Sequence, residues 1–417
     1  VLVLAVALIG PSFVDWNQFR GSIEAQAQRV TGRELRIGGD ISFAVLPAPH
    51  LKMADVSLAN VEGGSARDFA RFDRIEAEVA LAPLLRGEIG VTSIKITGLA
   101  VHLEVLADGR ANWKNLFSGK ARPGEGFFSP DSVSLERASF EDSSITYDDQ
   151  RNGRSWRADR INGEVAATSL VGPLRGNFDF DLESLPFSVR FGLGNFGGRK
   201  AFPITAELQS RNEAAKLLFS GIATEFSANG RIDGTGSLEL GTTKAEDGQK
   251  PRPPVRVESG IVASTQGASF RNLTIAMAGT SLKGDARANW RARPTASIRL
   301  AAEALTLDPL VDRLKDLPDG KGVPFTQLAL LPVPAWIDAT AEVKVGGLLA
   351  HDVLVRDAAL AVAIKDGVLN LQRLDGDIGG GTAFHLDGTL AQDATGPRFA
   401  GRAEVSSRNL AVLAHWL

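Results

Sequence analysis

The chain has 417 residues, with 46 Lys and Arg against 49 Asp and Glu and a formal net charge of −3. With neither a basic surplus nor a run of like charge, nucleic acid is excluded as the main partner. The absence of cysteine removes disulfides, thiolate metal sites and a cysteine nucleophile.

Residues 1–9, VLVLAVALI, are continuously apolar, and Gly10-Pro11 follows. A bilayer-spanning helix needs about 20 such residues. The run therefore reads as the tail of a membrane anchor (1–14), in a sequence that is a fragment of a longer protein. A signal-peptide core with Ala5-Val6-Ala7 as cleavage site is the alternative. Asp15 to Val30 predicts an amphipathic helix within segment 15–32. Asp15 can cap it, Trp16, Phe19, Ile23, Ala27 and Val30 share one helical face, and Thr31-Gly32 is a stop signal.

Beyond Gly32 the period changes to two. Ile75, Ala77, Val79 and Leu81 alternate with polar or small residues; so do Phe178, Phe180 and Leu182, then Val189, Phe191 and Leu193, then Ile204, Ala206 and Leu208. This pattern predicts strands with one apolar and one polar face. Asp108-Gly109, Asn152-Gly153, Asn229-Gly230 and Asp366-Gly367 supply turns. Helix is expected only at the N-terminus, in a short turn at Pro83-Leu84-Leu85, around Asp308 to Leu317, and at the C-terminus.

The stretch from Ile94 to Val105 changes parity. Ile94 and Ile96 are apolar at even positions, whereas Leu99, Val101, Leu103 and Val105 are apolar at odd ones. A one-residue bulge at Gly98 would keep Ile94, Ile96, Val101, Leu103 and Val105 on one side. The same flip separates Leu51 and Met53 from Val56 and Leu58. Bulged, twisted strands of this kind predict a long, curled, mainly antiparallel β-sheet built from repeated meanders.

The proline-rich, polar stretch 243–254 reads as a linker or loop. It divides a first β-rich domain, 33–242, from a second β-rich region, 255–417, incomplete at its end. A weak repeat runs through that region: the segment from Asn272 resembles the one from Leu374, each a strand, a glycine corner and two further strands.

Chemical motifs are weak. Gly192-Leu193-Gly194-Asn195-Phe196-Gly197 has the letters of a dinucleotide fingerprint, but a strand pattern follows where a helix is required. Gly379-Gly380-Gly381 lacks the Lys-Ser/Thr of a phosphate loop. The five histidines never adopt metal-ligand spacing, and Glu141, Asp142, Asp148 and Asp149 lack the spacing of a calcium loop. No catalytic, metal or cofactor site is predicted.

The N-terminal half resembles the AsmA family of bacterial inner-membrane-anchored proteins of outer-membrane assembly. The resemblance rests on the apolar run, the helix ending Thr31-Gly32-Arg33, then Ile37-Gly38-Gly39-Asp40-Ile41, Pro47 and Pro49, and Val56-Ser57-Leu58-Ala59-Asn60. It continues through Leu81-Ala82-Pro83-Leu84-Leu85-Arg86-Gly87-Glu88-Ile89 to Gly109-Arg110-Ala111-Asn112-Trp113. It implies an inner-membrane anchor, a periplasmic β-rich body, and a sheet with an apolar groove like those of bridge-type lipid-transfer proteins. The five bulge-flanking residues become candidates for contact with phospholipid. A scaffold or chaperone-like factor for outer-membrane protein assembly, with envelope proteins as partners, is the alternative, and a closed core in place of a groove is the competing architecture.

Overall fold

The computed structural model describes residues 13–408 except 47, 81–90, 115, 117–135, 152, 170, 198, 212–214, 225–229, 242–253, 278, 291–292, 309–335, 351–352 and 394–395. The chain forms two compact units, Val1–Asn212 and Glu213–Leu417. Each carries eleven strands among the described residues.

Unit 1 opens with a 3-10 turn, Trp16–Phe19, that runs into helix α1, Arg20–Thr31. The Asp15 side chain accepts the Asn17 backbone N–H at 3.0 Å, and Gly32 ends the helix with φ 73°. The expected apolar face is split: Trp16 and Ile23 pack on Ile37, Ile41 and Val56, while Phe19 and Val30 are 43% and 40% exposed. A 3-10 turn advances three residues per turn, so it rotates Phe19 out of phase with the helix that follows. Polar side chains of this segment serve the neighbouring strand backbone. Asn17 accepts the Ile41 N–H at 3.1 Å, Glu24 accepts the Ile37 N–H at 2.8 Å, and Arg20 donates to the Gly39 carbonyl at 2.8 Å. Edge groups that would otherwise invite another chain are thereby satisfied.

The strands of unit 1 are β1 (Leu35–Ile37), β2 (Ile41–Ala44), β3 (His50–Ala59), β4 (Asp68–Val79), β5 (Val91–Thr97), β6 (Ala100–Val105), β7 (Arg137–Asp149), β8 (Arg154–Ala167), β9 (Leu174–Leu182), β10 (Leu185–Leu193) and β11 (Phe202–Ser210). β1 and β2 lie end to end against β3, and β5 and β6 lie end to end between β4 and β7. The remaining neighbours are consecutive antiparallel pairs.

Unit 2 continues with β12 (Ala215–Ala223), β13 (Arg231–Leu240), β14 (Val255–Ser264), β15 (Gly267–Met277), β16 (Thr280–Asn289), β17 (Thr295–Thr306), β18 (Asp338–Ala350), β19 (Val353–Lys365), β20 (Val368–Asp377), β21 (Thr382–Asp393) and β22 (Gly396–Ser407). The two repeat segments, β15–β17 and β20–β22, are each a three-stranded antiparallel meander. Asp366-Gly367, with φ 54° and 77°, has the left-handed pair that a two-residue hairpin turn demands.

The pairing is mainly antiparallel, as expected, but it is mixed rather than purely antiparallel. β5 and β6 pair parallel with β7, and β17 pairs parallel with β18. Parallel neighbours need a connection of a dozen residues or more, and the segments before β7 and β18 are that long. Among the described residues no helix is long and apolar enough to cross a membrane. The apolar run at 1–9, the turn at Pro83-Leu84-Leu85, the linker up to residue 253, nearly all of the helix expected from Asp308, and the C-terminal helix lie outside the described residues.

Candidate functional site

Residues paired across neighbouring strands point to the same face of a sheet, so the register can be followed strand by strand. In unit 1 one row runs Ile41, Met53, Ile75, Ile96, Phe140, Gly163, Phe178, Val189 and Leu208. A second runs Phe43, Leu51, Ala77, Ile94, Ala138, Val165, Gly176, Phe191 and Ala206. A third runs Leu35, Leu58, Ala70, Val101, Ile145, Ala158, Leu182 and Leu185. No polar residue interrupts any of the three.

All three rows share one face. In β9, Phe178 and Leu182 are four apart with no left-handed residue between them, so simple alternation puts them on the same side. Their register counterparts are five apart: Gly163 and Ala158 in β8, Phe140 and Ile145 in β7, Ile96 and Val101 in β5 and β6, Ile75 and Ala70 in β4. The extra residue is absorbed at a seam crossing the sheet. Asp55, Gly98, Asp142 and Arg160 occupy it with φ 49°, 66°, 49° and 50°. Gly98 is the position where glycine is required, because its φ is positive and a Cβ would run into the Asp73 carboxylate.

The reverse face is charged. Lys52, Glu76 and Lys95 stand in register there, with Lys52 and Glu76 3.4 Å apart and Lys95 bound to Glu141 at 2.7 Å.

The apolar face is covered unevenly. Trp16 and Ile23 lie over the end at β1–β3, where Ile37, Ile41 and Val56 are at most 3% exposed. Elsewhere Ile94, Ile96, Val101 and Leu103 are only half-buried. Val105 is 7% exposed and closed over. Farther along, phenylalanine rings pack against one another across the strands: the ring pairs Phe140–Phe178, Phe178–Phe191 and Phe180–Phe187 have centroids 5.6, 6.3 and 5.9 Å apart. Gly163 and Gly176 permit this, since a Cβ on either would press into the ring of Phe178 or Phe191.

Unit 2, taken by itself, repeats the pattern. One row runs Ile232, Ala263, Ala268, Ala288, Ala296, Ala339, Ile364, Leu369, Leu390 and Phe399. Its small buried cluster is Leu305, Val345, Val355 and Ala358.

One group of polar residues, unremarked as a unit in the sequence, is deeply buried in unit 1. Glu104 and Asn112 have no exposed surface. The Asn112 side chain accepts the Glu104 N–H at 2.9 Å and donates to Asn60 Oδ1 at 3.0 Å and to the His102 carbonyl at 2.8 Å. The Glu104 carboxylate accepts from the Ser65 N–H at 2.9 Å and from Gln150 Nε2 at 2.6 Å. Burial pushes its pKa up, but the hydrogen bonds from Ser65 and Gln150 and the nearby His102 outweigh that and hold it below the usual glutamate range. Asn60 and Asn112 belong to two of the motifs quoted above, so those motifs meet in space across 52 residues. This arrangement is structural. It fixes the loop after β6 and with it Trp113, which is 39% exposed and lies 6.2 Å from the Tyr147 ring.

Other sequence features resolve as architecture. The glycine-rich stretch from Gly192 leads through a loop into β11, with Phe196 packed 5.7 Å from Phe202. Among the described residues no group of His, Asp and Glu could hold a metal ion.

Comparison with known proteins follows the same lines. The AsmA family model matches residues 1–233. The chain is 21% identical over 424 aligned positions to Protein AsmA of Escherichia coli (strain K12), an alignment that takes in 95% of this chain and 63% of that protein. The chain thus spans less than two thirds of the length of this curated relative. No solved structure matches it.

Proposed function

This chain belongs to the AsmA family, and from that premise we propose that it is a non-enzymatic envelope protein, anchored in the bacterial inner membrane with its body in the periplasm. It takes phospholipid acyl chains on the apolar face of its sheets and so supports outer-membrane biogenesis. The observation that carries this reading is the set of unbroken apolar rows in unit 1, left half-buried at Ile94, Ile96, Val101 and Leu103. Apolar surface facing water costs about 25 cal/mol per Å², and acyl chains laid along the rows would remove that cost. Moving a lipid along such a face requires a continuous apolar path and no reacting group.

The test is to purify the full chain, extract it with organic solvent and quantify phospholipid per chain by mass spectrometry. Bound phospholipid at a stoichiometric level or above supports the reading. Its absence, with outer-membrane barrel proteins co-purifying, would establish the scaffold role instead.

A further inference from the structure

Along the strand direction, the apolar face of unit 1 grades in polarity over three successive rows. The row Val101, Ile145 and Ala158 is aliphatic; the next is Leu103, Tyr147 and Trp156; the one beyond is Val105, Asp149 and Arg154. The middle row is aromatic and amphipathic. Tyr147 and Trp156 stack at 5.4 Å with planes 14° apart, and Trp113 adds a third ring at 6.2 Å from Tyr147. Trp113 and Trp156 remain 39% and 37% exposed. The outer row is charged: Asp149 is 4% exposed and held by Arg151 at 2.7 Å, leaving the Arg151 side chain half-exposed. Arg154 is exposed beside it.

From this gradient we propose that the lip formed by Trp113, Tyr147 and Trp156 is a head-group station, which sets the orientation of a phospholipid on the face. The proposal rests on the lipid-binding reading above and adds a direction and a subsite to it. Acyl chains lie on Val101, Ile145 and Ala158. The glycerol and ester region stacks on the aromatic rings, whose apolar bodies and polar tips suit the boundary between hydrocarbon and water. The phosphate reaches the guanidinium groups of Arg151 and Arg154. The buried Asp149 carboxylate anchors the Arg151 guanidinium through two hydrogen bonds, and the solvent-facing side of that guanidinium can meet an incoming phosphate. The buried Asn112 network then acquires a purpose, because it holds Trp113 at the lip.

The experiment uses the full chain with Trp16, Trp290, Trp336 and Trp416 replaced by Phe, leaving Trp113 and Trp156 as reporters. It is loaded with phosphatidylcholine brominated either near the carbonyl end or at the methyl end of the acyl chain, and bound lipid is quantified alongside fluorescence. Stronger quenching by the carbonyl-end bromines is expected. Trp156→Leu should weaken lipid binding by about two- to tenfold, the range of an aromatic stacking contact. Bound lipid with equal or stronger quenching from the methyl end would overturn the orientation while leaving lipid binding intact. No bound lipid at all would overturn the functional reading and the station with it.

Discussion

Replacing Leu103 with Asp separates an open apolar face from a closed core. Leu103 is half-buried in the row with Tyr147 and Trp156, and it packs against the cluster of Leu58, Phe69 and Ala70. Full burial of a leucine contributes about 2–3 kcal/mol, so losing half of that costs about 1–1.5 kcal/mol. The new carboxylate remains in reach of water and adds little. Val56 is the control, since it is 1% exposed in the cluster with Ile37 and Ile41. An unpaired carboxylate there costs several kcal/mol, a large fraction of the roughly 5–15 kcal/mol by which domains are stable. Urea titration should show Leu103→Asp shifted by about 1 M or less and Val56→Asp largely unfolded. Photocrosslinking to phospholipid should fall in Leu103→Asp. The reasoning is refuted if Leu103→Asp unfolds as readily as Val56→Asp, or if it stays folded and crosslinks as the parent does.

Asn112→Ala removes the Asn112 side-chain hydrogen bonds to the Glu104 N–H and the His102 carbonyl, while the Asn60 side-chain oxygen keeps the Val61 N–H; a loss of about 2–4 kcal/mol is expected in denaturant titration, with a change in near-ultraviolet circular dichroism as Trp113 comes loose. Gly98→Ala forces a Cβ into the left-handed region beside Asp73 and should cost about 2 kcal/mol. Adding Asp73→Gly, which removes the whole side chain that the new Cβ meets, should restore only part of that, because the backbone strain persists; complete restoration would show that the clash alone matters. Glu104 has its folded pKa depressed, so its contribution is fully present above its unfolded value of about 4.3 and is lost as pH falls through the folded one. The stability gap between the parent chain and Glu104→Gln should therefore be widest near neutral pH and narrow in acid, as read from denaturation midpoints across pH.

Much of the sheet was legible because local patterns carry it. Phe178, Phe180 and Leu182 alternate without interruption and form β9 as read, and the parity change at Gly98 announced the seam residue directly. What failed depended on partners far along the chain. Nothing near Arg137 indicates that β7 lies parallel to β5 and β6, since strand order is settled by the return path. The helix face from Trp16 to Val30 was read at a uniform period, and the 3-10 turn broke it. The aromatic lip was harder to read: a two-residue turn at Asn152-Gly153 would set Tyr147 opposite Ala158, whereas Asp149 pairs with Arg154 and so brings Tyr147 opposite Trp156. The Glu104 network had no signal, because Asn60 and Asn112 look like ordinary loop residues until the strands bring them together.

The consecutive pairing of strands has an evolutionary consequence. In a meander where each strand hydrogen-bonds to its neighbours in sequence, duplicating one hairpin adds two strands, restores the original chain direction and prolongs every apolar row by two positions. Neither the inside nor the outside of the sheet has to be redesigned. Duplicating a single strand would reverse direction, and a junction such as the parallel one between β17 and β18 is the kind of reset that makes an odd addition tolerable. The three-stranded segments β15–β17 and β20–β22 each hold one such hairpin plus an odd strand. Lengthening a sheet of this kind by copying a hairpin therefore requires no new fold.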